Sequence, residues 1–169
     1  MFDPTVFDNL KVVLEGAVYE LDLNQDVEIV DRCDLIDLAK MSRTYQISLA
    51  KSKVEGSIEL ATDVQSWSSE ILENGQVFPC ELYIQFYLKL MDTAHDCPGI
   101  RFKLNQIWRS YKPKIEQQIS FIYGNNQPDV YNQINLYFQE AIDESFIADI
   151  PNIINRFLET LDALETFAG

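Results

Sequence analysis

Two hydrophobic periods occupy different parts of this 169-residue chain, and their separation predicts an α+β fold. Alternating apolar residues dominate 1–61, and apolar residues at helical spacing dominate 62–169. The expected architecture is a small N-terminal antiparallel sheet of about four strands packed against a C-terminal helical bundle, in a single domain spanning 1–169. Apolar residues make up 47% of the chain, enough to bury a core without a metal or disulfide staple.

Leu10, Val12 and Leu14 alternate, followed by Val18, Tyr19 and Leu21, which reads as a first strand. Asp22-Leu23-Asn24-Gln25-Asp26 is turn-prone and suited to link it to the next. Val27, Ile29 and Val30 begin a second strand running towards Leu35 and Ile36. Tyr45, Ile47 and Leu49 alternate with Gln46, Ser48 and Ala50. After Lys51-Ser52-Lys53 the alternation resumes at Val54, Gly56, Ile58 and Leu60. A period of two marks half-buried strands, here in a meander.

Thr62-Asp63-Val64-Gln65 matches a capping box, and Leu60, Val64, Trp67 and Ile71 follow at helical spacing. Asn74-Gly75 suits either the end of that helix or a hairpin tip; the capping box favours the helix. In 79–95, Leu82, Ile84, Phe86, Leu88 and Leu90 alternate as a strand does. The run is long, however, and Pro79 suits a first helical turn, so length favours a buried helix stopped by Pro98-Gly99. Ile100, Leu104, Ile107, Trp108 and Tyr111 predict another helix, broken or restarted at Pro113. Ile115, Ile119, Ile122 and Tyr123 continue the pattern to Gly124. Pro128-Asp129 opens a helix carrying Val130, Ile134, Tyr137, Ala141 and Phe146. Pro151 opens the last, with Ile153, Ile154, Phe157, Leu158, Leu161, Leu164 and Phe167 in one broad stripe.

The net charge of −14 argues against general affinity for nucleic acid or anionic lipid. The charge is unevenly laid out: 1–75 carries a net of −9, 76–127 a net of +2 and 128–169 a net of −7. The outlier is 101–114, where Arg101, Lys103, Arg109, Lys112 and Lys114 occur without an acid, interleaved with Phe102, Trp108 and Tyr111. Bases and aromatics together can hold a phosphate backbone and stack bases. The plainer reading is an amphipathic helix with its aromatics in the core and its bases in water.

Three widely spaced cysteines, Cys33, Cys80 and Cys97, form no disulfide framework and read as reduced cytoplasmic thiols. No basic region followed by an apolar run opens the chain, so no signal peptide is expected, and no stretch approaches a membrane span. Asp22-x-Asn24-x-Asp26-x-Glu28 begins like a calcium loop but has Val27 where glycine is needed and Cys33 where a bidentate glutamate is needed. Asp31, Asp34 and Asp37 read as a solvated acidic face.

The most reactive segment contains the one histidine, His95, beside Cys97, Asp92 and Asp96. A thiolate–imidazole pair would be nucleophile and base, but side chains two apart diverge on a helix or strand. The plainer reading is a polar helix end, with His95 near its C-terminus. The chain has no P-loop, dinucleotide fingerprint, nucleophile elbow or zinc-protease motif. No cofactor or metal is therefore expected, and catalysis is disfavoured. The expected role is a non-catalytic cytoplasmic binding or adaptor domain with an acidic surface, of inhibitor or immunity type towards a basic partner. The alternatives are a thiol/His enzyme using His95, Cys97 and Asp92, and a nucleic-acid binder through 101–114, with Arg101, Lys103, Trp108, Arg109 and Lys112 as contacts. If the chain pairs with itself, the face of Ile154, Phe157, Leu158 and Leu161 is the expected interface, although core use of that face is favoured.

Overall fold

The structure is a computed structural model that describes residues 6–63, 68, 80–140 and 142–169. Helix α1 (Val6–Leu23) precedes three strands, β1 (Glu28–Asp37), β2 (Ser42–Lys51) and β3 (Val54–Thr62). Strand β4 (Glu81–Leu90), helix α2 (Thr93–Ile107), and strands β5 (Lys114–Ser120) and β6 (Val130–Tyr137) follow. A 3-10 turn (Glu144–Asp149) leads into helix α3 (Ile150–Glu165). The strands form one antiparallel sheet in the order β1-β2-β3-β4-β6-β5.

The α+β class holds, but six strands replace four, and they recur well beyond residue 62. Residues 10–21 are helix rather than strand. The alternation of Leu10, Val12 and Leu14 is a coincidence within a helical stripe: Phe7, Leu10, Leu14 and Val18 are buried, whereas Val12 is 68% exposed. In 79–95 the alternation was the better guide than length. Leu82, Ile84, Phe86, Leu88 and Leu90 are all buried on one face of β4, the strand flanked by β3 and β6. Ile115 and Ile119 lie in β5, and Val130, Ile134 and Tyr137 in β6, where helices were expected. Pro98-Gly99 does not stop a helix; Pro98 sits inside α2 at the cost of one N–H donor. Thr62 is the last residue of β3, and the helix expected over 64–75, with the capping box that would open it, lies outside the described residues, Thr62, Asp63 and Ser68 apart. The Asp22–Asp26 turn does exist. It joins α1 to β1, with Asp22 Oδ1 accepting from Ile29 N at 3.1 Å.

The strand register shows how the core is built. Across β2, β3, β4 and β6, Ile47, Ile58, Ile84 and Leu136 face one another, with Ile115 of β5 beyond them. The adjacent row runs Leu49, Gly56, Phe86 and Ile134. Helix α3 lays Ile153, Ile154, Phe157, Leu161 and Leu164 against this face, and each is buried. The apolar stripe of the last helix is thus spent inside the protomer, not offered to a second copy. Phe157 stacks on Phe86 with ring centroids 5.0 Å apart. Trp108 is also core: it is 1% exposed and donates from Nε1 to Thr160 Oγ1 at 3.0 Å.

Helix α1 covers the β1–β2 side through charge as well as apolar contact. Arg43 pairs with Asp34 and Asp8 and lies over the Phe7 ring, Lys11 joins Asp34, and Arg32 meets Glu15 and Tyr19. Among the described residues no helix is long and apolar enough to cross a membrane.

Candidate functional site

Every described helix packs on the same side of the sheet, so the opposite side is left open by the described residues. Antiparallel strands place alternate residues on opposite faces. The register therefore assigns the open face row by row. One row crosses all six strands: Cys33, Gln46, Glu59, Tyr83, Tyr137 and Lys114. The next runs Asp31, Ser48, Ser57, Gln85, Asn135 and Glu116, and a third contains Ala50, Glu55, Tyr87, Gln133 and Gln118. Beyond these, Lys89 faces Tyr131.

Four tyrosines sit on this face in two cross-strand pairs. Tyr87 and Tyr131 stack at 5.3 Å with rings 5° from parallel, and Tyr83 and Tyr137 meet at 5.1 Å, tilted by 41°. Polar side chains hold one of them, Tyr83, in place. Tyr83 donates its hydroxyl to Asn135 Oδ1 at 2.6 Å, and Gln133 Nε2 donates to the same oxygen at 3.2 Å. Gln46 reaches Ser57 Oγ at 3.3 Å. Asn135 and Ser57 are buried despite pointing away from the helices. Burial, with Tyr137 close by, pushes the Tyr83 hydroxyl up to about 12, so it stays protonated.

Charge on this face is mostly uncompensated acid. Lys89 is neutralised by Asp129 at 2.7 Å and Lys114 by Glu116 at 2.6 Å. Glu55, Glu59 and Glu81 have no ion pair among the described residues. Glu59 is half-buried, and burial alone pushes its carboxyl above the ordinary range.

The residues singled out by sequence fall elsewhere. Asp92 is the N-cap of α2, accepting from Ala94 N at 3.1 Å and His95 N at 3.4 Å. His95 is therefore in the first turn of α2, not near a helix C-terminus. Its Nδ1 lies 3.1 Å from Asp96 Oδ1. Asp96 is buried, which raises its carboxyl. The Asp92 N–H, His95 and the Met91 N–H outweigh that and hold it below the usual range. Cys97 packs against the core without a hydrogen bond to His95, and burial followed by Asp96 pushes its thiol up. The segment is a capped helix start whose thiol is shifted away from the thiolate form.

In the basic strip, Arg101, Lys103 and Arg109 are exposed, and Arg101 caps the Ile115 carbonyl at 3.3 Å. Lys112 follows α2 in a left-handed conformation, φ 48°. Trp108 is buried, and Tyr111 is tied to Asp149 at 2.8 Å, which leaves Phe102 as the exposed aromatic of the strip. Among the described residues no group of three or more His, Cys, Asp or Glu could hold a metal ion. Comparison with protein-family models, curated proteins and solved structures finds no match.

Proposed function

We propose that the chain is a non-catalytic binding domain whose open sheet face docks a protein partner carrying complementary positive charge. The observation that supports this most is the two tyrosine pairs on one sheet face, one stacked and one tilted, with Tyr83 held by the Asn135–Gln133 amides. Tyrosine gives large, stiff, amphipathic contact area with few rotatable bonds, and it is enriched where proteins bind each other. A rigid sheet loses little entropy on docking, so more of the contact energy is realised as affinity. Glu55, Glu59 and Glu81 add a local negative field that speeds encounter with a basic surface and penalises acidic ones. A cytoplasmic inhibitor or adaptor that masks a basic protein fits this chemistry. The thiol/His alternative loses support from the raised Cys97 thiol, and the nucleic-acid alternative from the burial of Trp108.

The test is capture of a partner by the tagged chain at low salt, compared with Tyr87→Ala/Tyr131→Ala and with Lys103→Ala on the other side of the sheet. The reading expects a stoichiometric basic protein that salt releases, retained by K103A and lost by the double tyrosine variant. Equal capture by all three chains, with unchanged melting temperatures, would refute docking on the open face.

A further inference from the structure

Where β3, β4 and β6 meet at one end of the open face lies a depression of about 440 Å³, lined among others by Glu59, Glu81, Tyr83, Tyr137, Phe138 and Gln139. Its chemistry has one sign. Glu59 pairs in register with Tyr83, which in turn pairs with Tyr137, so a carboxylate and two rings stand side by side across three strands. Glu81 lies one row further along, opposite Ala61. Neither Glu59 nor Glu81 forms a hydrogen bond or ion pair among the described residues. A half-buried carboxylate without a partner has lost part of its hydration and gained nothing in exchange.

The rings add a second attraction. The face of a tyrosine is electron-rich and draws cations. Tyr137 already shows this, since Lys114 Nζ lies 5.7 Å from its centroid, approaching from β5. That lysine is held by Glu116, so it does not discharge Glu59. The hydroxyl of Tyr83 is committed to Asn135, which fixes the ring before any ligand arrives.

We propose that this depression receives one arginine side chain of the protein that the open face docks, its guanidinium stacked on the Tyr83–Tyr137 pair and forked onto Glu59. The inference rests on the open-face reading given above. Arginine fits better than lysine on two counts. A planar guanidinium stacks on a ring while its edge donates two parallel hydrogen bonds to a carboxylate, and it is more weakly hydrated than an ammonium. The pocket is thus a specificity element within a broader docking face: the tyrosine stacks supply area, and Glu59 selects one residue of the partner.

The experiment is an NMR titration of the full chain with Nα-acetylarginine amide and, in parallel, with Nα-acetyllysine amide. Ring signals of Tyr83 and Tyr137 and the Glu59 carboxylate carbon are followed. Saturable shifts confined to those groups are expected, tighter for the arginine probe. Glu59→Gln weakens arginine binding about tenfold, the factor that corresponds to ~1.4 kcal/mol. Tyr137→Leu, which removes a ring and keeps the charge, weakens it as well, and Tyr87→Ala/Tyr131→Ala leaves it unchanged. Absence of saturable shifts, equal binding by folded E59Q, or lysine binding as tight as arginine would each overturn the assignment. The two readings fail separately. Partner capture without any response to the arginine probe sinks the pocket alone. An arginine response confined to the pocket, with capture untouched by the tyrosine variants, sinks the docking face.

Discussion

Replacing Gly56 with alanine removes stability that the same change would add in most strands. Glycine within a strand costs roughly 0.5–1 kcal/mol relative to alanine through chain entropy. Gly56 is on the helix-facing side of β3, between Leu49 and Phe86. A Cβ at this position would stand 2.5 Å from Phe157 Cζ and 3.0 Å from Phe86 Cδ1. Carbon atoms rest at roughly 3.5–4.0 Å, so the Phe157 ring must withdraw by about 1 Å. It has little room, because it also stacks on Phe86 and is fully buried. Overpacking of this kind costs about 1–3 kcal/mol, which exceeds the entropic gain. The net expectation is a loss of about 1–2 kcal/mol, or a melting temperature lower by roughly 2–8 °C in a domain of this size. Urea and thermal unfolding followed by circular dichroism measure it. Phe157→Leu supplies the control, since leucine ends short of the atom that alanine would strike. The double variant should lose at least ~0.5 kcal/mol less than the two single losses combined. A G56A chain as stable as its parent, or strictly additive losses, would show that the glycine is not there to admit the ring.

Two further expectations concern titrating groups. Hydrogen bonding to Arg43, aided by Lys11, outweighs burial and lowers the Asp34 carboxyl to about 2. Because the folded value lies below the unfolded one, the stabilisation is present above about pH 4 and is lost as pH falls towards 2. The site is partly solvated, so screening reduces it to about 1 kcal/mol. Asp34→Asn should therefore be less stable by that amount at pH 7, with the gap shrinking below pH 4 and closing as pH falls through 2; a gap independent of pH would discount the cluster. Cys97, with its thiol raised by burial and by Asp96, should react with a disulfide reagent at neutral pH more slowly than cysteine in a short peptide. His95→Ala should leave that rate unchanged, whereas fast labelling that depends on His95 would restore the nucleophile reading.

Strands β2 and β3 were legible because each has one wet and one dry side, so Tyr45, Ile47 and Leu49 stand out against Gln46, Ser48 and Ala50. Helix α1 was not, because Val12 is an exposed apolar residue placed to complete a false alternation. Strand β6 was obscured differently: Asn132 is fully buried on its core face, which breaks the apolar period that marks a strand. The candidate site was lost with these assignments. Tyr83 and Tyr87, four apart, share a face whether 81–90 is read as helix or strand, but Tyr131 and Tyr137, six apart, share one only if 130–137 is a strand. Read as helices, Tyr131 and Tyr137 part, and nothing places either beside Tyr83 and Tyr87. Once the period is known, the odd-numbered tyrosines of β4 and β6 are a signal the sequence does carry. What no local pattern reveals is that β4 and β6 are neighbours, since α2 and β5 lie between them in the chain.

That one non-sequential neighbour also dictates an order in time. The β1–β2 and β2–β3 hairpins and the β5–β6 hairpin close over short spans, whereas Leu90 must find Val130 across the stretch of chain that holds α2 and β5. Closure entropy grows with span, and contacts distant in sequence form late. Both tyrosine pairs straddle this seam, with Tyr83 and Tyr87 on one bank and Tyr131 and Tyr137 on the other. Neither half of a nascent chain displays the docking surface, so a partner has nothing to hold until this seam has closed.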